Sequence, residues 1–298
     1  MIYAFQQRNN LNRQPIKGND MDENLSEKKT YFMKKYTIPV CAALLSALIK
    51  PVFAESLKVG ADLTYPPYNY IENHKAAGFD AEFISMVVKE LNVTPEFIDT
   101  RFANLIMGVN NGKFDVIASS LYMTPERAKQ IDFIPYVKTG GVLIARKGDA
   151  FQPTELGMLC GKKVSSIKGA AWVFKMARES KTLCVDKGLK PIDIREFPTA
   201  PEASQAVMSR AVDVQFDDSA VAFDVAKKTQ RLTVSSGIIY PILIGLGVKK
   251  GNEETYKTLD AAVKKVVQSP EYKTLLTNYN LTASSPSEVE AALNGTLQ

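Results

Sequence analysis

The distribution of apolar residues predicts short strands that alternate with amphipathic helices from residue 57 onward. Over residues 80–91 an apolar side chain recurs every four positions, which places one apolar stripe along a helix. The stripe consists of Phe79, Phe83, Val87 and Leu91. Neighbouring patterns predict strands over residues 57–61, 95–99 and 114–118 and a helix over residues 102–109. This β-α-β order is typical of a mainly parallel sheet flanked by helices.

A second unit repeats the same order further along the chain. Its predicted elements are strands over residues 163–167, 193–197 and 212–216 and helices over residues 171–179 and 203–209. Two terminal helices are predicted over residues 253–268 and 271–278. The sequence therefore predicts two α/β lobes.

Two extended, apolar, glycine-flanked segments separate these units, at residues 140–145 and 237–248. We interpret them as strands on which the chain leaves the first lobe and returns to it. Lobe 1 then comprises residues 55–141 and 238–298, and lobe 2 comprises residues 142–237. Such a double crossing permits hinge motion between lobes. The alternative is two independent domains with ordinary linkers.

The first 54 residues have the layout of an export leader. Residues 1–32 are polar and lack an apolar period. From Met33 a short basic start runs into an apolar stretch, and Val52-Phe53-Ala54 provides a small-residue cleavage site. This predicts a signal peptide over residues 33–54, cleaved after Ala54, and an exported protein. An uncleaved membrane anchor is the alternative.

Charge and cysteine content narrow the class of protein further. Residues 55–298 carry 29 Lys and Arg against 28 Asp and Glu, without a basic run interleaved with aromatics, so nucleic acid is not an expected partner. Cys160 and Cys184 remain beyond the leader, and a pair in an exported protein favours a disulfide over two free thiols. With His74 as the only histidine, we expect neither a metal nor a cofactor.

Candidate ligand-binding residues follow the predicted strands, because open parallel sheets bind ligands beyond the carboxyl ends of their strands. Thr124 begins a helix, and its neighbouring N–H groups, the hydroxyls of Ser119 and Ser120 and the forked guanidinium of Arg127 suit a carboxylate. The alternative for Arg127 is a solvated surface residue paired with a nearby glutamate. Across the predicted cleft, Asp218 suits an ammonium group.

Asp218 has a second interpretation, because Asp217 or Asp218 could instead cap the helix that follows. Aromatic residues at loop starts, such as Tyr65 and Phe102, could form the walls around a ligand side chain. Trp172 could face either the cleft or the core, and we expect the core.

Two runs of this sequence resemble the family 3 extracellular solute-binding proteins, which include lysine/arginine/ornithine, histidine and glutamine receptors of bacterial ABC importers. One run is Gly-Phe-Asp-Ala-Glu-Phe over residues 78–83, and the other is Gly-Lys-Phe-Asp-Val-Ile over residues 112–117 with Ser119, Ser120 and residues 124–127. The resemblance implies the type II two-lobe α/β fold of periplasmic binding proteins. It also implies a periplasmic monomer that captures a free, polar or cationic amino acid by lobe closure and presents it to a membrane ABC permease.

The resemblance implies roles for individual residues. Arg127 would hold the α-carboxylate with Ser120 and Tyr122 nearby, and Asp218 would hold the α-ammonium. Tyr65 and Phe102 match stacking aromatics, and Asp62 matches an acidic residue that contacts basic side chains in some members. The full candidate set is Asp62, Tyr65, Phe102, Ser119, Ser120, Tyr122, Thr124, Arg127, Ala171 and Asp218.

Two features of the resemblance concern lobe 2. Residues 169–171 read Gly-Ala-Ala and lack the hydroxyl that usually helps to hold the carboxylate, so a backbone N–H must replace it or the contact is absent. Cys160 and Cys184 match the paired cysteines of one subgroup, which supports the disulfide.

Two other classes of function remain open at this stage. The chain lacks a nucleophile-base-acid set, so we expect no enzyme. A cyclohexadienyl or arogenate dehydratase on the same fold is nevertheless an alternative, because Asp217, Asp218 and Glu202 could supply carboxylates for an elimination. A ligand-sensing domain that acts through a separate receptor is the other alternative.

Overall fold

A computed structural model of the chain describes residues 56–297. The expected polar extension, signal peptide and cleavage site after Ala54 therefore lie outside the described residues. No helix within residues 56–297 has the length and apolar character needed to span a bilayer.

Strands and helices alternate along both halves of the described chain, as the apolar pattern predicts. The strands are β1 (Ser56–Ala61), β2 (Thr64–Tyr65), β3 (Asn69–Glu72), β4 (Lys75–Ala77), β5 (Thr94–Asp99), β6 (Val116–Ile117), β7 (Ile131–Arg146), β8 (Lys163–Ile167), β9 (Asp193–Phe197), β10 (Val214–Asp218), β11 (Leu232–Val234) and β12 (Tyr240–Lys249). The α-helices are α1 (Phe79–Leu91), α2 (Leu105–Asn110), α3 (Pro125–Ala128), α4 (Ala171–Leu183), α5 (Ala200–Met208), α6 (Ser219–Thr229), α7 (Glu253–Val266), α8 (Pro270–Asn278) and α9 (Pro286–Asn294). Short 3₁₀ helices cover Phe102–Asn104, Leu156–Leu159 and Val185–Lys187.

One sheet runs through both halves of the described chain in the order β5-β1-β6-β12-β7-β10-β8-β9, with β11 paired to β7. Strand β1 is parallel to β5 and β6, and β8 is parallel to β9 and β10. The long strands β7 and β12 are antiparallel to each other and to their outer neighbours β10 and β6. Two parallel groups of three strands therefore flank a central antiparallel pair, which corresponds to the two predicted crossing segments.

Gly141 lies in β7 between two neighbouring strands. On one side Gly141 pairs with Tyr240 of β12, and on the other side it pairs with Asp218 at the end of β10. A Cβ atom at Gly141 would lie 2.6 Å from a ring carbon of Phe216, so a larger residue could not be accommodated without movement. The last residues of β10 are thus fixed beside the crossing strands.

Helix α1 supplies the predicted apolar stripe to the core of the first group. Phe79 and Phe83 are fully buried, and Phe83 stacks on Tyr136 of β7 with ring centroids 4.5 Å apart. Burial of each such side chain contributes about 1.5–3 kcal/mol to the free energy of folding. The helix begins after Gly78, whose φ of 103° and close approach to the Tyr68 carbonyl oxygen require glycine. Residues 78–83 therefore fix α1 against β7.

Cys160 and Cys184 form the predicted disulfide. Their sequence separation is 24 residues, and closing a loop of this size stabilises the fold by about 3 to 4 kcal/mol in the chain-entropy model. The bridge joins the segment before β8 to the end of α4. It therefore ties together the elements that carry the lobe 2 side of the site described below.

Several elements differ from the predicted boundaries. Helix α5 begins at Ala200 rather than at residue 203, because Thr199 and Glu202 form a capping box and a proline lies in the first turn. The hairpin sheet β2-β3-β4, strand β11 and helix α9 were not predicted. The short β2–β4 sheet matters most, because it positions Tyr65.

Candidate ligand-binding site

A small cavity lies where the carboxyl ends of the two parallel groups meet. Its volume is about 10 Å³, roughly the space that one water molecule needs. The lining residues are Tyr65, Phe102, Ser120, Tyr122 and Arg127 from the first group and Ile167, Ala170, Ala171 and Trp172 from the second. The cavity therefore lies beyond the strand ends, where a ligand-binding site is expected in such sheets.

Arg127 is the charged side chain of this lining. Helix α3 is a single turn, and Thr124 caps it by accepting a hydrogen bond from the Arg127 backbone N–H at 3.3 Å. The guanidinium donates to the carbonyl oxygens of Tyr122 at 2.8 Å and Gly169 at 3.0 Å, and it lies 5.4 Å from the ring centre of Phe102. Burial lowers the pKa of Arg127 to about 10, so it is positively charged at neutral pH. A solvated surface pair is therefore excluded.

Asp218 is fully buried at the end of β10, where it caps α6 and accepts hydrogen bonds from three hydroxyl groups. One carboxylate oxygen accepts from the Tyr68 hydroxyl at 2.9 Å and, as the cap of α6, from the Ala220 backbone N–H at 2.8 Å. The other accepts from the hydroxyls of Tyr122 at 2.5 Å and Thr139 at 2.8 Å. Burial raises the pKa of Asp218, while these donors oppose that rise. The capping interpretation of Asp218 is thus an observed contact, and its interpretation as the partner of an ammonium group stays a prediction.

Asp217, next to Asp218, contacts Tyr65 in strand β2 of the small sheet. Its carboxylate accepts from the Tyr65 hydroxyl at 2.6 Å, from the Gln215 side-chain amide at 2.6 Å and from the Asp218 backbone N–H at 2.8 Å. Burial raises the pKa of Asp217 to about 7. Two neighbouring carboxyl groups are therefore buried beside the cavity among uncharged donors.

Tyr122 connects the two charged groups that flank the cavity. Its carbonyl oxygen accepts from Arg127, and its hydroxyl donates to Asp218. Its ring packs edge-on against Trp172 with centroids 5.1 Å apart. One tyrosine residue therefore spans the distance between a buried cation and a buried anion.

Asp80 supports the cavity from behind and was not among the predicted site residues. It accepts from the Ser120 backbone N–H at 2.7 Å and hydroxyl at 3.1 Å, from Tyr136 at 2.6 Å and from Asn69 at 2.6 Å. These bonds hold Ser120 at a φ of 47°, which is in the left-handed region. Burial raises the pKa of Asp80 to about 6.

Protonation of Asp80 is expected to make stability depend on pH. Because its pKa is about 6 in the folded chain against 3.8 in the unfolded chain, the folded state binds more protons between these values. Stability therefore falls as pH rises through about 6. In urea titrations the free energy of unfolding should be higher at pH 5 than at pH 7.5, and Asp80→Asn should remove about 1 kcal/mol of this difference.

The Asp80 variant has a matched control and a contradicting result. Asp260→Asn removes a carboxylate that pairs with Lys264 on the surface, and it should keep the wild-type difference between the two pH values. If the free energy of unfolding of Asp80→Asn still differed as much between pH 5 and pH 7.5, another buried carboxyl group, such as that of Asp217, would be the cause of the pH dependence.

Asp62 and Ser119 lie one layer behind the cavity. The Asp62 carboxylate accepts from the Phe102 backbone N–H at 2.8 Å and forms an ion pair with Arg101 at 3.0 Å. Ser119 accepts from the Asp62 backbone N–H at 3.0 Å. Neither side chain is part of the cavity lining, whereas the neighbouring Ser120 is.

The remaining predicted residues lie at the cavity or at its mouth. Thr124 caps α3 and faces a wider space outside the cavity. The predicted residues that line the cavity itself are Tyr65, Phe102, Ser120, Tyr122, Arg127 and Ala171. Trp172, which we expected in the core, is buried and also lines the cavity, with its ring N–H donating to Ser166 at 2.5 Å.

Within residues 56–297 no group of three or more His, Cys, Asp or Glu side chains is placed to bind a metal ion.

This chain is similar to known proteins over most of its length. Residues 57–282 match the model of the bacterial extracellular solute-binding proteins, family 3. The putative ABC transporter arginine-binding protein 2 of Escherichia coli K12 is 26% identical over 251 residues, which cover 82% of this chain and 97% of that protein.

Solved structures are similar over most of the chain. A mutant of ArgBP from T. maritima has a TM-score of 0.69 and 26% identity, covering 76% of this chain and 95% of its own. An ancestral amino acid-binding protein, described as a precursor of cyclohexadienyl dehydratase, has a TM-score of 0.66 and 28% identity, covering 75% and 95%. These similarities confirm the predicted two-lobe α/β fold of type II periplasmic binding proteins. Because the family match spans most of the chain, the protein belongs to the bacterial extracellular solute-binding proteins, family 3.

Proposed function

We propose that this protein captures a free amino acid and delivers it to the membrane permease of an ABC importer. The observation that carries the proposal is the position of Arg127 and Asp218, which contact opposite ends of Tyr122 beside one cavity. A buried cation and a buried carboxylate that contact the two ends of one tyrosine suit the α-carboxylate and α-ammonium of a zwitterion. The names of the similar binding proteins point to the same class of ligand.

Tyr65, Phe102 and Ala171 form the walls in this proposal, and Ser120 and Tyr122 supply polar groups close to the carboxylate. Lobe 2 offers no hydroxyl at residues 169–171. A backbone N–H at the start of α4, near Ala171, is the donor that fits this position.

Ligand entry requires the two lobes to separate. The cavity of about 10 Å³ is far too small for the several non-hydrogen atoms of any amino acid. Contacts such as Tyr65–Asp217 and Arg127–Gly169 join the two sides and must break on opening. In this proposal lobe 1 comprises residues 55–141 and 238–298, lobe 2 comprises residues 142–237, and β7 and β12 act as the hinge.

The proposal places the protein in the periplasm as a monomer, after removal of residues 1–54 by cleavage behind Ala54. Export agrees with the disulfide, since such bonds persist in oxidising compartments. Its partners are then the free amino acid and, transiently, the permease.

Binding without catalysis fits the site better than a dehydratase does. Of the three carboxylates considered for an elimination, Glu202 is exposed, and its side chain accepts from the Thr199 backbone N–H at 3.1 Å in the capping box of α5. Asp217 is held by the Tyr65 hydroxyl, the Gln215 amide and the Asp218 backbone N–H, and it does not line the cavity. Arogenate and prephenate should therefore remain unchanged on incubation with the protein.

The proposed function is tested by a screen of refolded, ligand-free protein against the proteinogenic amino acids, ornithine and citrulline. A ligand that binds the folded state raises the unfolding temperature by mass action. Trp172 is the only tryptophan in the sequence and lines the cavity, so its fluorescence gives a second, local signal. A selective thermal shift with a matching fluorescence change supports the proposal, and no response to any amino acid contradicts it.

A further inference from the structure

Arg101 neutralises an acidic side chain that lies directly behind the cavity wall. One of its terminal nitrogens is 3.0 Å from a carboxylate oxygen of Asp62 and 2.9 Å from the Thr64 hydroxyl. The other donates to both carboxylate oxygens of Asp99, at 2.7 and 2.6 Å. The guanidinium is therefore fixed by two acidic residues at once.

Asp62 is close enough to the cavity for its charge to matter to a ligand. Its second carboxylate oxygen accepts from the backbone N–H of Phe102, whose ring lines the cavity. The Asp62 side chain is 0% exposed, so little solvent screens its charge. Without Arg101, this position would present an unpaired negative charge that favours a cation nearby.

The charges at the mouth of the cavity also do not favour a cationic side chain. Beyond Phe102 a space of about 530 Å³ opens, with Glu126 as the acidic residue of its lining and Arg127, Lys175 and Arg178 as the basic residues. Lys175 is paired with Glu179. Because Arg127 is assigned to the α-carboxylate, the remaining Glu126 and Arg178 balance each other, and the mouth offers no net negative charge to a positively charged side chain.

We infer that Arg101 determines the charge class of the ligand. By pairing with Asp62, it makes the site select amino acids whose side chains carry no positive charge and reject arginine, lysine and ornithine. This inference rests on the proposed function, because it concerns the side chain of the same amino-acid ligand.

The test is isothermal titration of wild type and Arg101→Gln with arginine, lysine and the best ligand that lacks a cationic side chain. Wild type should bind the cationic amino acids at least tenfold more weakly than that ligand. In Arg101→Gln the ratio of dissociation constants should shift toward the cationic amino acids by at least tenfold, because the negative charge of Asp62 behind the cavity wall is no longer neutralised. Arg101→Lys retains the positive charge and should keep the wild-type preference.

Two controls separate a change of specificity from general damage. Lys113→Gln removes a nearby cation that donates to Thr100 rather than to Asp62, and it should bind as wild type does. The double variant with Asp62→Asn and Arg101→Gln removes both charges and should gain no affinity for arginine.

The wild-type measurement decides the inference even if Arg101→Gln fails to fold. Tightest binding of arginine or lysine by wild type would overturn the inference and leave the proposed function standing. An unshifted ratio in folded Arg101→Gln would also overturn it. Failure of every amino acid to bind wild type would instead contradict the proposed function itself.

Discussion

Replacement of Arg127 by alanine is expected to weaken amino-acid binding by roughly 100-fold or more. A charge-assisted hydrogen bond contributes about 1.5–3 kcal/mol, and a forked guanidinium can form two with one carboxylate. Since about 1.4 kcal/mol corresponds to a tenfold change in affinity, the loss of both bonds accounts for this effect. Arg127 uses two of its donors on the carbonyl oxygens of Tyr122 and Gly169, which leaves others for the ligand.

Isothermal titration calorimetry of three variants tests the role of Arg127. Arg127→Lys preserves the charge without the fork and should fall between wild type and Arg127→Ala. Arg195→Ala removes an exposed arginine that pairs with Asp193 on β9, and it should leave the affinity unchanged. A folded Arg127→Ala protein with wild-type affinity would refute the carboxylate assignment.

Loss of the negative charge at Asp218 is expected to reduce affinity by a comparable factor. An ammonium group bound in this buried site needs an anionic partner, because burial of an unpaired charge is costly. Asp218→Asn retains the size of the side chain but replaces one acceptor oxygen by a donor. The new amide group would face hydroxyls that now donate to Asp218, such as those of Tyr122 and Thr139.

The capping role of Asp218 can be separated from its charge by Asp218→Ser, which retains an N-cap oxygen for α6. This variant should remain folded and still bind about 100-fold more weakly than wild type, if the charge holds the ligand. Thr199→Ala is the control for the loss of a helix cap, because Thr199 caps α5. It should lower the free energy of unfolding by about 1 kcal/mol and leave the affinity for the ligand unchanged. If Asp218→Ser bound the ligand nearly as well as wild type does, Asp218 would act only as the N-cap of α6.

The sequence predicted those parts of the fold that depend on local patterns. The period-four stripe predicted α1, and glycine-flanked apolar runs predicted the crossing strands. The start of α5 was misplaced although its signal was present, since Thr199 and Glu202 are spaced as a capping box with a proline between them. The hairpin sheet β2-β3-β4 has strands of only two to four residues, too short to show a period.

The candidate site was predictable as far as strand ends and helix starts determine it. Contacts between distant segments were not, because no local pattern encodes them. Asp217 meets Tyr65 across 152 positions of sequence, and Asp80 meets Ser120 across 40. Nor does any local pattern indicate that Arg101 pairs with Asp62, since that contact depends on the fold around Phe102.

The late position of β12 in the chain has a consequence for the timing of folding. Strand β6 ends at Ile117, but its antiparallel neighbour β12 ends at Lys249. At a synthesis rate of about 5–20 residues per second, β6 would wait on the order of ten seconds for that neighbour. An open strand edge is prone to wrong pairing, and pairing across such a sequence separation is slow. The sheet is therefore expected to stay incomplete in the nascent chain until residue 249 has been made.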